Sequence, residues 1–332
     1  MTVLDRPAPD RRLLIPVPLR APEDASGCLR HEVSGRAFAT TWQVVLHADG
    51  PVDREALTRR IQACLDRIDA EMSPFRSDSD LSRFNAAVAG GFVPLPPMLL
   101  QVVRQALSVA SLTDGAFDPA LLDIVEAWGF GAKTVAEGLP APEVRAGLGR
   151  RGDWRSLEWR ADGLIKPEGV RIDLCGIAKG YAVDAVAQML KTSPGVRSAL
   201  IEVGGELKGF GISASGQPYW VEIESVDGLP QTVVGLYDMA VATSGDTRRF
   251  FLHDGVRLSH TMDGRTNAPV ASGISAVSVF DPDCWRADAL ATALMVMGED
   301  RAMQFAQTHA IACLMRLSDG RERLSPALED WL

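Results

Sequence analysis

The chain has 332 residues, 46% of them apolar and 23% charged, and carries a formal net charge of −9 at pH 7. That profile provides core for one large domain or two closely packed ones. The acidic excess argues against a nucleic-acid partner, which needs a basic patch. Five scattered cysteines (Cys28, Cys64, Cys175, Cys284, Cys313) lack the paired spacing of zinc or redox motifs. They read as small buried apolar residues and point to a reducing compartment.

Residues 1–30 are rich in proline and charge, with no apolar run for a signal peptide and no cysteine placed for a lipid anchor. A flexible or loosely docked tail is expected there. The expected location is cytoplasmic, or periplasmic if the chain is a processed form. No run of 18 apolar residues occurs, so no membrane span is expected.

Residues 37–48 (AFATTWQVVLHA) alternate and are rich in β-branched types, which predicts a strand. Downstream, Leu57, Ile61, Cys64, Leu65 and Ile68 share one helical face. A polar loop precedes a proline-led amphipathic helix over 96–113, and residues 131–157 form a glycine- and charge-rich connection. Strands are predicted at 198–203, 219–225, 232–237 and 274–280, and helices at 178–191, 286–297 and about 299–309. No regular βαβ period or internal repeat appears, so the class is α+β and layered rather than doubly wound.

Four stretches carry chemistry. In RIDLCGIAKGYAVDAV, Asp173 ends a strand, Cys175-Gly176-Ile177-Ala178 is small or apolar, and Lys179 opens a helix. A helix N-terminus and a lysine favour a phosphate, and glycine lets a ligand approach the backbone. The same spacing also fits a plain strand–turn–helix with a surface lysine. In WRADALATALMVMG, Asp288 and Thr292 lie one turn apart among apolar residues, an oxygen pair suited to Mg²⁺. Alternatively, Asp288 serves its helix dipole and Thr292 bonds back to a carbonyl. In LSHTMDGRTN, His260 is a candidate general base or a hydrogen-bonded loop residue. In TDGAFDPAL, Phe117 either stacks on a planar ring or packs in the core.

Together and in order, FRSDSDLSRFN, DGAFDPAL, IDLCGIAKGYAVDAV, IEVGGELKGFG, ATSGDTRRFF, SHTMDGRTNAP and ADALATALMVMG resemble the ApbE-type FAD:protein FMN transferases over about residues 38–298. The resemblance implies an ApbE-like layered α+β fold with mixed or antiparallel sheets and packed helices over 31–332, as one body or two intimate subdomains. It implies Mg²⁺-dependent transfer of FMN from FAD to a threonine or serine hydroxyl of an acceptor flavoprotein, with release of AMP. Asp288, Thr292 and the Gly176 carbonyl match the metal positions. Phe38, Phe75, Ala116, Phe117, Asp118, Asp173 and Lys179 match FAD contacts, and His260 and Asp288 match the catalytic positions. An FAD pyrophosphatase and a non-catalytic FAD-binding protein remain alternatives.

The chain departs from the family pattern at four places. Phe38-Ala39-Thr40 stands for Met-Gly-Thr, Phe75 for tyrosine, and Cys175 for glycine or serine; Gly264 and Asn267 stand for the proline and glycine after the histidine.

Overall fold

The alternation read over 37–48 belongs to a hairpin rather than a single strand. In the computed structural model, which describes residues 2–4, 11–16, 25–132, 139–148, 153–223, 231–245, 250–253 and 256–332, Leu29–Ala37 pairs antiparallel with Thr40–Ala48. Ala37 lies opposite Thr40, so Phe38 and Ala39 alone form the turn, with φ of +52° and +57°. Two-residue hairpin turns of this hand favour glycine or asparagine at both places. A phenylalanine and an alanine give no sequence signal for such a turn, and each costs about 1–2 kcal/mol there.

This hairpin forms one edge of an eight-stranded antiparallel sheet. From that edge the order is Leu29–Ala37, Thr40–Ala48, Val196–Val203, Glu206–Phe210, Met239–Gly245, Ile274–Asp281, Ala312–Leu317 and Glu322–Leu324. Side chains alternate between its two faces. Val44 and Leu46 enter one core with the helices Arg54–Met72, Pro97–Leu112, Ala178–Lys191 and Cys284–Met297. Val45 enters a second core, facing a four-stranded mixed sheet. The result is three layers, helices on sheet on sheet, and the α+β expectation holds.

Part of the segment expected as a tail is sheet instead. Arg12–Leu14 runs parallel to Thr232–Leu236, and Thr2–Leu4 pairs with Tyr219–Ile223. The apolar Leu14 side chain is fully buried between the sheets, which fixes that strand. The expected connection over 131–157 contains a helix, Pro142–Leu148, and a turn of 3₁₀ helix, Trp154–Ser156; residues 133–138 and 149–152 lie outside the described residues. Predicted boundaries elsewhere move by one or two residues, and positions 224 and 225 of the expected 219–225 strand also fall outside the described residues. All five cysteines are free, with Cys284 and Cys313 buried and the other three partly so. Among the described residues no helix is long and apolar enough to cross a membrane.

Helix Cys284–Met297 is apolar nearly all round because it is enclosed: Ala287, Leu290, Ala291, Ala293 and Leu294 are all inaccessible to solvent. It crosses Ala178–Lys191 closely at Gly180, where an added Cβ would stand 2.4 Å from the Cys284 carbonyl oxygen. Each helix start is then capped by an aspartate of the other. Gly180 N–H donates to Asp288 Oδ2 at 3.0 Å, and Trp285 N–H donates to Asp184 Oδ2 at 2.9 Å. Both bonds place a carboxylate at the positive end of a helix dipole.

Candidate active site

The reciprocal helix pair forms one wall of a cavity of about 480 Å³, a volume suited to a small-molecule ligand. All eleven residues selected from the sequence line it, although they come from six separate stretches of chain. Phe38 reaches it from the strained hairpin turn, and Phe75, 49% exposed, stands on its rim. Ala116 and Phe117 are buried in its wall. Thr113 Oγ1 accepts from Phe117 N–H at 3.1 Å, which fixes the turn that carries the ring.

The acidic positions Asp118 and Asp173 are held locally. Asp118 Oδ1 accepts from Ala120 N–H at 2.7 Å, and Asp173 Oδ1 from Cys175 N–H at 2.8 Å. These are short Asx-type turns, which keep the backbone of both loops in place.

The expected meeting of Gly176 with the Asp288–Thr292 pair occurs. An added Cβ on Gly176 would lie 3.2 Å from Thr292 Oγ1 and 3.3 Å from Phe117 Cε2. Thr292 Oγ1 also bonds Ser244 Oγ at 3.0 Å and donates weakly to the Asp288 carbonyl at 3.4 Å. The idea of an anion on the bare helix start needs correction. The Gly180 N–H expected to be open is already taken by Asp288, so that part of the dipole serves the protein's own carboxylate.

Lys179 is ion-paired with Glu206, a residue that the sequence reading did not select. Glu206 follows the Gly204-Gly205 turn, whose φ values of +62° and +105° exclude most side chains. Glu202 Oε1 pins that turn through Gly205 N–H at 2.7 Å. Glu206 is only 2% exposed, and its Oε2 is buried without a hydrogen-bond partner. Asp288 is only 4% exposed, and among the described residues only Gly180 N–H donates to its carboxylate. Burial raises both carboxyl pKa values against the opposing pull of Lys179, Glu206 to about 7. Burial would lower the Lys179 pKa, but Glu206 and then Asp288 outweigh it and keep the ammonium charged.

Two buried carboxylates therefore share one ammonium. The sequence signal for Glu206 was present: a charged residue directly after a double glycine, at the start of the strand Glu206–Phe210, which is buried throughout.

The His260 segment also lines the cavity, next to the C-terminal end of the Cys284–Met297 helix. Its ring meets Phe130 edge-on at 6.3 Å between centroids. Asp263 is held by Arg265 through Nε and Nη2, at 2.9 and 2.8 Å, and Arg265 Nη2 also donates to Val296 O at 3.0 Å. This ties the loop to the end of the Asp288 helix. Asn267 sits at φ +54°, a conformation that asparagine tolerates and that explains its place where relatives of the pattern carry glycine. Its carbonyl accepts from Trp128 Nε1 at 3.0 Å.

A layered α+β fold that gathers a carboxylate–lysine cluster, a histidine and aromatic rings into one cavity has the make-up of an enzyme active site. The ApbE family model matches residues 38–315, and the chain belongs to the ApbE family. It is an ApbE-type flavin transferase. It is 36% identical over 309 residues to an FAD:protein FMN transferase of Vibrio cholerae, covering 90% of this chain and 92% of that one. A relative of the same name from Haemophilus influenzae is 30% identical, with 87% of each chain covered. The solved flavinyl transferase ApbE of Pseudomonas stutzeri superposes with a TM-score of 0.86 at 35% identity, covering 92% of this chain and 97% of that one.

Proposed function

We propose that this enzyme transfers the FMN moiety of FAD to a threonine or serine hydroxyl of an acceptor flavoprotein, releases AMP and depends on Mg²⁺. The observation that carries the reading is the charge of the cavity wall: among the described residues, Asp288 and Glu206 are both buried beside the single ammonium of Lys179, and one carboxylate oxygen of Glu206 has no hydrogen-bond partner. Among the described residues no group of three histidine, cysteine, aspartate or glutamate side chains has metal-holding geometry. The donors that fit are hard oxygens of mixed origin: the Asp288 carboxylate, the Thr292 hydroxyl and the Gly176 carbonyl, a set suited to Mg²⁺. Bound there, Mg²⁺ would offset pyrophosphate charge and stabilise the departing AMP phosphate.

The chain's own residues supply the rest. Lys179, kept charged by Glu206, places a fixed positive charge on the same wall. Phe38, Phe75 and Phe117 offer apolar faces to planar rings. His260 takes the acceptor's hydroxyl proton as that oxygen bonds to the FMN phosphorus and the bond from phosphorus to the AMP oxygen breaks. The names carried by the relatives support this substrate pair.

The test is incubation with FAD, Mg²⁺ and a threonine-bearing flavoprotein, followed by a denaturing gel viewed for flavin fluorescence. A fluorescent acceptor band supports the proposal. Free FMN and AMP with no band indicate a pyrophosphatase, and intact FAD sinks both.

A further inference from the structure

The cavity does not end at the helix side of the central sheet. Ser244, whose hydroxyl meets Thr292, is followed by Gly245, and the wall continues to Ile223, Ala276 and Arg316. Ile223 belongs to the core between the two sheets. Along Ala312–Leu317, Cys313, Met315 and Leu317 enter the helix-side core, while Ala312 and Leu314 enter the other. Alternation therefore puts Arg316 on the face away from Asp288.

Gly245, Ala276, Arg316 and Glu322 form one cross-strand row. Glycine and alanine leave a trough beside the arginine. The register shift between Ile274 and Ala276 marks the bulge where the trough opens, and bulges of this kind re-aim neighbouring side chains.

Among the described residues the charges there do not balance. Arg316 Nε donates to Glu322 Oε1 at 3.0 Å, and Arg12 Nη1 donates to Glu322 Oε2 at 2.8 Å. Two guanidinium groups share one carboxylate. Arg316 is 4% exposed, and its Nη2 is buried without a hydrogen-bond partner. A buried guanidinium with an unused donor is costly unless something anionic completes it.

We propose that Arg316 and the trough over Gly245 and Ala276 form an oxyanion subsite that takes a carboxylate or phosphate group. It is separate from the Lys179 cluster, which lies on the opposite face of the sheet. Guanidinium geometry matches a planar or tetrahedral oxyanion through paired N–H donors. The flavin-transfer reading bears only on the source of this group, FAD or the acceptor polypeptide.

Inorganic phosphate is the probe, exchanged for chloride at constant ionic strength, with binding read from the shift in melting temperature. Arg316→Met is expected to weaken phosphate binding roughly ten-fold, the effect of losing a charge-assisted donor. Glu322→Gln breaks the same ion pair but leaves the guanidinium charge less shared, so phosphate should bind at least as tightly as in wild type. Arg316→Lys retains the pairing charge without Nη2; it should lose most of the same affinity, and it serves if the methionine variant does not fold.

Equal phosphate binding in wild type and the Arg316 variants overturns the subsite. So does an equal loss in Glu322→Gln, which would make Arg316 only a partner of Glu322. FAD titrations followed by flavin fluorescence then assign the source. A parallel loss of FAD affinity places the oxyanion on FAD, and unchanged FAD affinity places it on the second substrate. Phosphate binding is read without flavin transfer, so the subsite stands or falls apart from the transferase reading.

Discussion

Asp288→Asn is expected to stabilise the metal-free protein while removing its response to Mg²⁺. The aspartate is nearly inaccessible, its carboxyl pKa is raised by burial, and the compensating Lys179 is committed to Glu206. Asparagine keeps an oxygen for the Gly180 N–H and removes one of two buried negative charges. A buried charge with a shared partner costs several kcal/mol gross, so about 1–2 kcal/mol of net gain is expected. For a chain of this length that is a rise of about 1.5–3 °C in melting temperature. Mg²⁺ at about 100 times its Kd should stabilise wild type by about 2.7 kcal/mol and leave the variant unchanged, reversing their order. Melts in EDTA and in Mg²⁺ measure both effects. A variant that melts below wild type in EDTA and keeps the full Mg²⁺ shift would refute the charge argument.

The two glycines around Lys179 should separate fold from site. Gly180→Ala drives a Cβ to 2.4 Å from backbone, so the helices must part, and denaturant unfolding should show a loss of about 3 kcal/mol. Gly176→Ala meets Thr292 Oγ1 at 3.2 Å, so stability should fall by less than about 1 kcal/mol while the Mg²⁺-induced melting shift shrinks. Ala39→Gly relieves the positive φ of the hairpin turn and should raise the unfolding free energy in denaturant melts, by about 1 kcal/mol after the entropy cost of glycine. His47 is buried between the sheets, with Nδ1 2.9 Å from the Tyr219 hydroxyl. Burial, then Arg30 and His31, lower its pKa below the ordinary 6.5. The unfolded chain therefore binds the proton first. Stability is full above pH 6.5 and falls below it, by at most about 1.4 kcal/mol per pH unit from this group. His47→Gln should flatten that slope in melts across pH 4.5–7.5, and an unchanged slope would exclude His47 as its source.

Periodicity located the main helices because their apolar faces are continuous: Leu57, Ile61, Leu65 and Ile68 all reach the core. It located the strand around 40–48 but not its partner Leu29–Ala37, an edge strand whose residues are mostly exposed or half-buried. The turn between them carries no glycine or asparagine to mark it. Arg12–Leu14 was hidden for another reason: three residues among prolines and charges have no period, and only the neighbouring strand makes them a strand.

Among site residues, Asp288 was legible because a carboxylate in an apolar helix demands a partner. Glu206 and Arg316 were not selected, because what makes them significant is burial and the neighbours that the fold brings to them. Glu206 meets Lys179 from a neighbouring hairpin, and Arg316 depends on Glu322 and Arg12. A sequence shows the charge of a residue but not the balance of charge around it.

The small-residue run before and after Lys179 shows how two demands can share one pattern. Read alone, it suggested backbone kept bare for a ligand. In the structure Gly176 faces Thr292 and the cavity, whereas Gly180 is bare because the Cys284 carbonyl occupies the space a side chain would need. The close crossing at Gly180 lets Asp288 reach the start of the opposite helix, and Asp184 does the same in return. These two caps fix the helices to each other, and that fixes the height of Thr292 against Gly176. The geometry of the candidate cation site is therefore a consequence of helix packing, set by a glycine that contacts no ligand. For that reason Gly180 variants should lose stability and metal response together, whereas Gly176 variants should lose mainly the response.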